Sequence, residues 1–217
     1  LISAAQNQGV DMTDIVFYTN PQSRGRIVHW FLEELGEPYD IQWIEYGEQM
    51  KAADYLAVNP MGKVPAVNHK GAVITECPAI CTFLAASYPE KGLIPPVGDP
   101  ALADFYRWIF FAAGPAEMAM TARSNSWEVP KDKEMSVGFG NYETVLNAME
   151  LALSNGPFVC GENFTAADVY VGSCLEWGML FGTIEKRPLF EEYVSRNQQR
   201  PAVQRANKIN EDRLAEK

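Results

Sequence analysis

Three short stretches carry residue types that could do chemistry together. Gly62-Lys63-Val64-Pro65 stands immediately before an apolar strand run, Ala66-Val67. A proline cannot donate to a strand ladder, so the backbone at Val64 is left exposed and fixed, free to pair with something else. Thr75-Glu76-Cys77-Pro78 closes a second short strand, Ala72-Val73-Ile74. Proline is favoured in the first turn of a helix, so a helix start is expected at Pro78, and its unpaired N–H groups and partial positive charge suit a carboxylate. Cys77 lies at that start, where a thiol pKa can be lowered. The third stretch, Thr19-Asn20-Pro21-Gln22-Ser23-Arg24-Gly25, is a turn cluster in which Ser23 can cap the helix that follows.

Elements of matching type surround these stretches. Ile15 to Tyr18 reads as a buried strand, and Ile27, Val28, Phe31, Leu32 and Leu35 fall at helical spacing with Gly36 as the stop. Tyr39 to Ile44 is a second strand, and residues 48 to 58 form a weaker helical stretch. The His69-Lys70-Gly71 turn, with glycine supplying a positive φ, folds Ala66-Val67 back against Ala72-Ile74 as an antiparallel hairpin. A helix over 78 to 88 follows. The expected order is therefore β-α-β-α-β-β-α. A fixed backbone edge and an anion site end up side by side in it.

This order, with its motifs, resembles the glutathione transferases over its whole length. The resemblance implies an α/β thioredoxin-like domain at 12–90 and an all-α C-terminal domain at 101–217, joined by the Pro- and Gly-rich segment 91–100. It further implies a cis peptide at Val64-Pro65, Val64 pairing through its backbone with the cysteinyl part of glutathione, and Glu76 holding the γ-glutamyl end. Cys77 stands where the family usually has serine, and a thiol is the weaker hydrogen-bond partner. By the same resemblance the hydroxyl that activates the glutathione thiol is expected from Ser23, with Asn20 as the alternative. Tyr18 reads as core. Lys63 is expected to hold a glutathione carboxylate, and Gln49 and Lys51 lie in the region of the glycyl end.

From 101 onward no strand signal survives. A helix over 101 to 123 with a kink at Gly114-Pro115, a helical stripe over 136 to 154, and a capping box at Thr165 and Asp168, stapled by Phe164 and Val169, are expected. Shorter helices follow at 189 to 197 and 201 to 208. Tyr106, Phe110, Phe111, Met118, Trp177 and Phe181 are the apolar residues available to form a wall for a small hydrophobic electrophile.

Composition narrows the function classes. At 217 residues and 47% apolar content the chain can bury a real core, and a net charge of −10 argues against bulk attraction to nucleic acid or anionic membranes. No apolar run approaches the ~20 residues of a membrane helix. The four cysteines show no CxxC spacing and the two histidines stand apart, so neither a metal site nor a disulfide framework is expected. A cytoplasmic setting is expected from that cysteine usage. Residues 1–11 show no sustained period before Met12 and are expected to be an extension outside the fold. The reading is a transferase conjugating glutathione to small hydrophobic electrophiles, a homodimer by resemblance. Its alternatives are a binding or scaffold protein that kept the fold, and a glutathione-dependent disulfide reductase or peroxidase.

Overall fold

In the computed structural model, which describes residues 13–216, four strands form one mixed sheet. They are β1 (Ile15–Thr19), β2 (Tyr39–Trp43), β3 (Ala66–His69) and β4 (Ala72–Thr75), in the order β2-β1-β3-β4. β1 runs parallel to β2, with Ile15 opposite Tyr39, and antiparallel to β3, with Phe17 opposite Val67. β3 and β4 are the expected hairpin. Both residues of its turn, Lys70 and Gly71, have positive φ, the geometry that matches the twist of a two-residue connection. The expected extension at residues 1–11 lies outside the described residues.

Helix α1 (Gly25–Leu35) buries Ile27, Val28, Phe31, Leu32 and Leu35 and ends on Gly36 at φ 69°. Gly25 is required where α1 meets β1: a Cβ there would stand 1.9 Å from the Thr19 hydroxyl oxygen. The weak helical stretch after β2 is two short helices, α2 (Glu48–Lys51) and α3 (Ala53–Val58), separated by Ala52 in an extended conformation. Helix α4 (Cys77–Ser87) follows β4, entered through Glu76 at φ 68°.

After a 3-10 turn at Pro89–Lys91 the chain is helical. The expected long helix is α5 (Ala101–Phe111) and α6 (Glu117–Ser124) joined by a π-helical turn, Ala112–Ala116. Pro115, which lacks an N–H, sits in that turn, so the interruption falls where the sequence places it. The stripe expected over 136 to 154 starts later, as α7 (Tyr142–Leu153). Gly138 and Gly140 delay it, and the Asn141 side chain caps it by accepting the Thr144 N–H at 2.9 Å. Helices α8 (Ala166–Leu180), α9 (Pro188–Gln198) and α10 (Pro201–Ala215) complete the chain. α10 runs seven residues past its expected end at 208, supported by a Lys208–Asp212 pair one turn apart.

One apolar cluster runs from Ile15 and Phe17 through α1 and α4 into α5, α7, α8, α9 and α10. Along it α10 lies against α1, where ion pairs tie Arg200 to Glu34 at 2.6 Å and Arg205 to Glu33 at 2.6 Å. At the start of α8 the buried Asp168 carboxylate accepts four hydrogen bonds, from the N–H groups of Val159 and Thr165 and the hydroxyls of Thr165 and Tyr193. That network, which includes the expected capping box, fixes α8 at the angle from which its outer face borders the site.

Candidate functional site

The peptide bond between Val64 and Pro65 is cis, as the resemblance implies. The residue before it is held by its neighbours: the carbonyl of Lys63 accepts from the Tyr55 hydroxyl at 2.7 Å and from Asn59 Nδ2 at 2.8 Å. Asn59 is buried, and its Oδ1 takes the Met61 N–H at 3.0 Å, so one side chain closes the loop on both sides. Lys51 adds two bonds from its Nζ, to the carbonyls of Met61 (3.1 Å) and Gly62 (2.8 Å). Gly62 cannot carry a side chain under that arrangement, because its φ is +55° and a Cβ would lie 2.8 Å from the Met50 carbonyl. Among the described residues no hydrogen bond engages the backbone of Val64. It stands beside a carbonyl fixed by two donors, with its own polar groups free.

Val64 borders a cleft of about 1100 Å³. Ser23 and Lys63 share that wall, and α6, α8 and α10 form the opposite one with Glu117, Met120, Tyr170, Glu176, Trp177 and Asn207. The cleft is bridged at one end, where Arg24 Nη2 donates to Glu117 Oε1 at 2.5 Å. Lys63 makes no ion pair among the described residues and is exposed.

Ser23 is half-buried. Its hydroxyl donates to the Asn20 carbonyl at 2.7 Å and accepts the Gly25 N–H at 2.9 Å, so it caps the first turn of α1 while facing the cleft. Asn20 is placed differently from its expected role. It is buried and does not border the cleft; its Nδ2 donates to the Ile44 carbonyl at 2.9 Å and its Oδ1 accepts the Gln22 N–H at 3.0 Å. Both ends of that amide are spent on tying the turn to the chain after β2. Tyr18 packs on Tyr55, with ring centres 6.0 Å apart, as a core residue.

Cys77 also departs from expectation. Its Sγ is buried and directed at the Arg24 carbonyl, 3.5 Å away. Burial pushes the thiol up to about 12, outweighing the opposing pull of Arg24, so the helix start does not make it acidic. Glu76 is exposed at the head of α4, and Pro65 is buried beneath the edge that Val64 presents. Neither borders the cleft itself. Gln49 is taken up locally, its Oε1 accepting the Glu45 N–H at 2.7 Å. Like Lys51, it serves the loops around the site, and neither reaches the cleft.

Of the expected apolar wall, Trp177 and Phe181 border the cleft. Tyr106, Phe110 and Met118 do not: they are exposed on another face of α5 and α6, where Tyr106 and Phe110 stack at 6.3 Å. Phe111 packs against the core. One helix presents several faces, and the periodicity of α5 shows which residues are apolar but not which face meets α8. Arg26, Glu117, Tyr170 and Glu176 are among the cleft residues that the sequence did not disclose. They come together through the packing of α1 on α8 and the Arg24–Glu117 bridge to α6, and no local motif marks them. Tyr55 and Asn59 were missed as well, although both lie within ten residues of Lys63.

Among the described residues no group of His, Cys, Asp and Glu could hold a metal ion, and no helix is long and apolar enough to cross a membrane.

Residues 23–87 match the family model for the glutathione S-transferase N-terminal domain. The chain is 28% identical over 182 residues to glutathione S-transferase GstA of Escherichia coli O157:H7, covering 82% of this chain and 90% of that one. It is 31% identical over 169 residues to glutathione S-transferase A of Pleuronectes platessa, covering 73% and 74%. A solved glutathione transferase from Methylococcus capsulatus superposes with a TM-score of 0.73 at 30% identity, over 90% of this chain and 98% of that one.

Proposed function

Since this chain belongs to the glutathione S-transferase family, we propose that it binds glutathione along the Val64 edge and conjugates it, through its thiolate sulfur, to a small hydrophobic electrophile in the cleft. The observation that carries this reading is the unengaged backbone of Val64 facing the same cleft as the Ser23 hydroxyl. An extended peptide can pair with such an edge through its own N–H and C=O groups. In this arrangement the cysteinyl part of glutathione lies on Val64. Its γ-glutamyl end rests at Glu76 and the first-turn N–H groups of α4, and Lys63 holds a glutathione carboxylate.

A free thiol ionises with a pKa near 8.5, so only a few per cent is thiolate at neutral pH. Ser23 supplies a hydroxyl at the start of an 11-residue helix, where hydrogen bonding and the helix dipole both favour the thiolate. To do so its proton turns from the Asn20 carbonyl toward the sulfur, while Oγ keeps the Gly25 N–H. The thiol proton leaves to water. The sulfur lone pair then forms the C–S bond, and a leaving group departs with the bonding pair.

A second reading has its own observation. In the structure the Ser23 proton is engaged by Asn20, which suits a protein that binds glutathione without activating it. Calorimetric titration with glutathione combined with turnover of 1-chloro-2,4-dinitrobenzene separates the two. The transferase reading expects heat of binding and conjugation that Ser23→Ala lowers; heat without conjugation supports the binding protein, and no heat at millimolar glutathione removes both. Reduction of mixed disulfides through the same thiolate is tested with a disulfide probe in the same cleft. A homodimer and a cytoplasmic, detoxifying role belong to the proposal too, and the exposed Tyr106–Phe110 stack offers an apolar face for a second copy.

A further inference from the structure

The electrophile side of the cleft is not apolar throughout: charged groups stand beside Trp177 and Phe181. Its charged groups come from three helices: Arg26 from α1, Glu176 from α8 and Glu211 from α10. Elsewhere in the cleft Arg24 is matched to Glu117, and Lys63 stands on the glutathione wall. That leaves one guanidinium facing two carboxylates. Arg26 makes an ion pair at 3.5 Å with Glu211, which is largely exposed, and acts on Glu176 only through its charge. Among the described residues nothing donates a hydrogen bond to Glu176.

A half-buried carboxylate without a protein donor is costly, because it has given up part of its hydration and gained no partner in exchange. Burial holds the Glu176 carboxyl above the usual carboxylate range, with Arg26 opposing, so the neighbouring cation does not offset the lost hydration. The next residue, Trp177, borders the same space. A carboxylate and an indole lining one space are a combination that can receive an organic cation, through charge from one and the ring face of the other.

We propose that the second substrate is an electrophile bearing an ammonium group, and that Glu176 is the residue that selects it. The proposal rests on the transferase reading. It narrows the substrate class from a neutral hydrophobic electrophile to a cationic one with an apolar body. Glutathione occupies the Val64 wall, the reacting carbon faces its sulfur, and the ammonium head reaches the α8 wall.

Two probes of matched shape and opposite charge test it: 4-chloro-3-nitrobenzylamine, cationic at neutral pH, and 4-chloro-3-nitrophenylacetate. The ratio of their kcat/KM values is measured for the native protein, Glu176→Gln and Glu176→Asp, each corrected for the uncatalysed rate. The native protein should favour the ammonium probe by about tenfold or more, the scale of one screened charge-assisted hydrogen bond. Glu176→Gln should remove most of that preference and Glu176→Asp should retain much of it. A native ratio near one, or a ratio that Glu176→Gln leaves unmoved, overturns the assignment while glutathione binding stands. Should Glu176→Gln not fold, the native ratio and Glu176→Asp decide. Absence of both glutathione binding and turnover overturns the parent reading and this one together, and the calorimetric titration tells that case apart.

Discussion

The two walls of the cleft are built by different means. The Val64 wall, proposed for glutathione, is backbone: Val64 is presented by a loop whose bonds come from Lys51, Tyr55 and Asn59, all within 13 residues of it. The opposite wall is side chains from helices far apart in sequence, with Glu117, Glu176 and Asn207 set against Arg24 and Arg26. The first is held by short-range bonds and can keep its shape while the residues around it vary. The second depends on how α8 and α10 seat on α1 and on the Arg24–Glu117 bridge to α6, so small changes in packing would reshape it. Such a division suits the proposed function, in which the fixed edge takes an invariant tripeptide and the variable face takes the second substrate.

The largest effect is expected where the side-chain wall is anchored. Asp168→Ala leaves the N–H groups of Val159 and Thr165 without an acceptor and the Tyr193 hydroxyl with only the Asp168 carbonyl at 3.5 Å, at a cost of about 3 kcal/mol or more in stability. Urea denaturation measures it; a loss under 1 kcal/mol would mean that α8 is held by something else. Next is Ser23→Ala, expected to reduce kcat for conjugation ten- to hundredfold, roughly the loss of one charge-assisted hydrogen bond, with glutathione affinity much less affected. Equal loss in affinity would make Ser23 a binding residue only.

The backbone wall is probed by Asn59→Ala, which removes one of two donors to the Lys63 carbonyl and frees the Met61 N–H. Glutathione affinity should fall about fivefold to tenfold, as expected from about 1 kcal/mol of lost positioning, by calorimetric titration. Breaking the bridge between the walls with Glu117→Gln should cost under about 1 kcal/mol, because Arg24 is half exposed and solvent screens the pair.

The cysteines give a pH test. Cys77, Cys160 and Cys174 are each pushed by burial from an ordinary value of 9.0 up to about 12. A thiol whose folded pKa is raised contributes stability that is complete below pH 9 and lost as the pH rises toward 12. Thermal stability should therefore decline across that window and not below it, and Cys77 should resist thiol reagents at pH 8 in the native protein. An activity inflection between pH 6 and 9 then belongs to bound glutathione and not to Cys77.

Local features were legible in the sequence. The turn at Lys70-Gly71, the stop at Gly36, the interruption at Pro115 and the cap at Thr165 and Asp168 each follow from a residue's own backbone preferences, and each appears where expected. Features that depend on which face of a helix turns inward were not. Tyr106 and Met118 are apolar at helical spacing yet point away from the cleft, while Glu176, polar and unmarked, faces it. Asn20 and Cys77 show the same limit at close range: residue type suggests chemistry, but burial and an existing hydrogen bond have already used the group.

The most direct measurement is a crystal structure of the protein with glutathione. Paired backbone hydrogen bonds between the cysteinyl residue and Val64 are expected, with the sulfur within hydrogen-bond distance of Ser23 Oγ. A groove left empty at saturating glutathione, or a sulfur bound away from both residues, would contradict it.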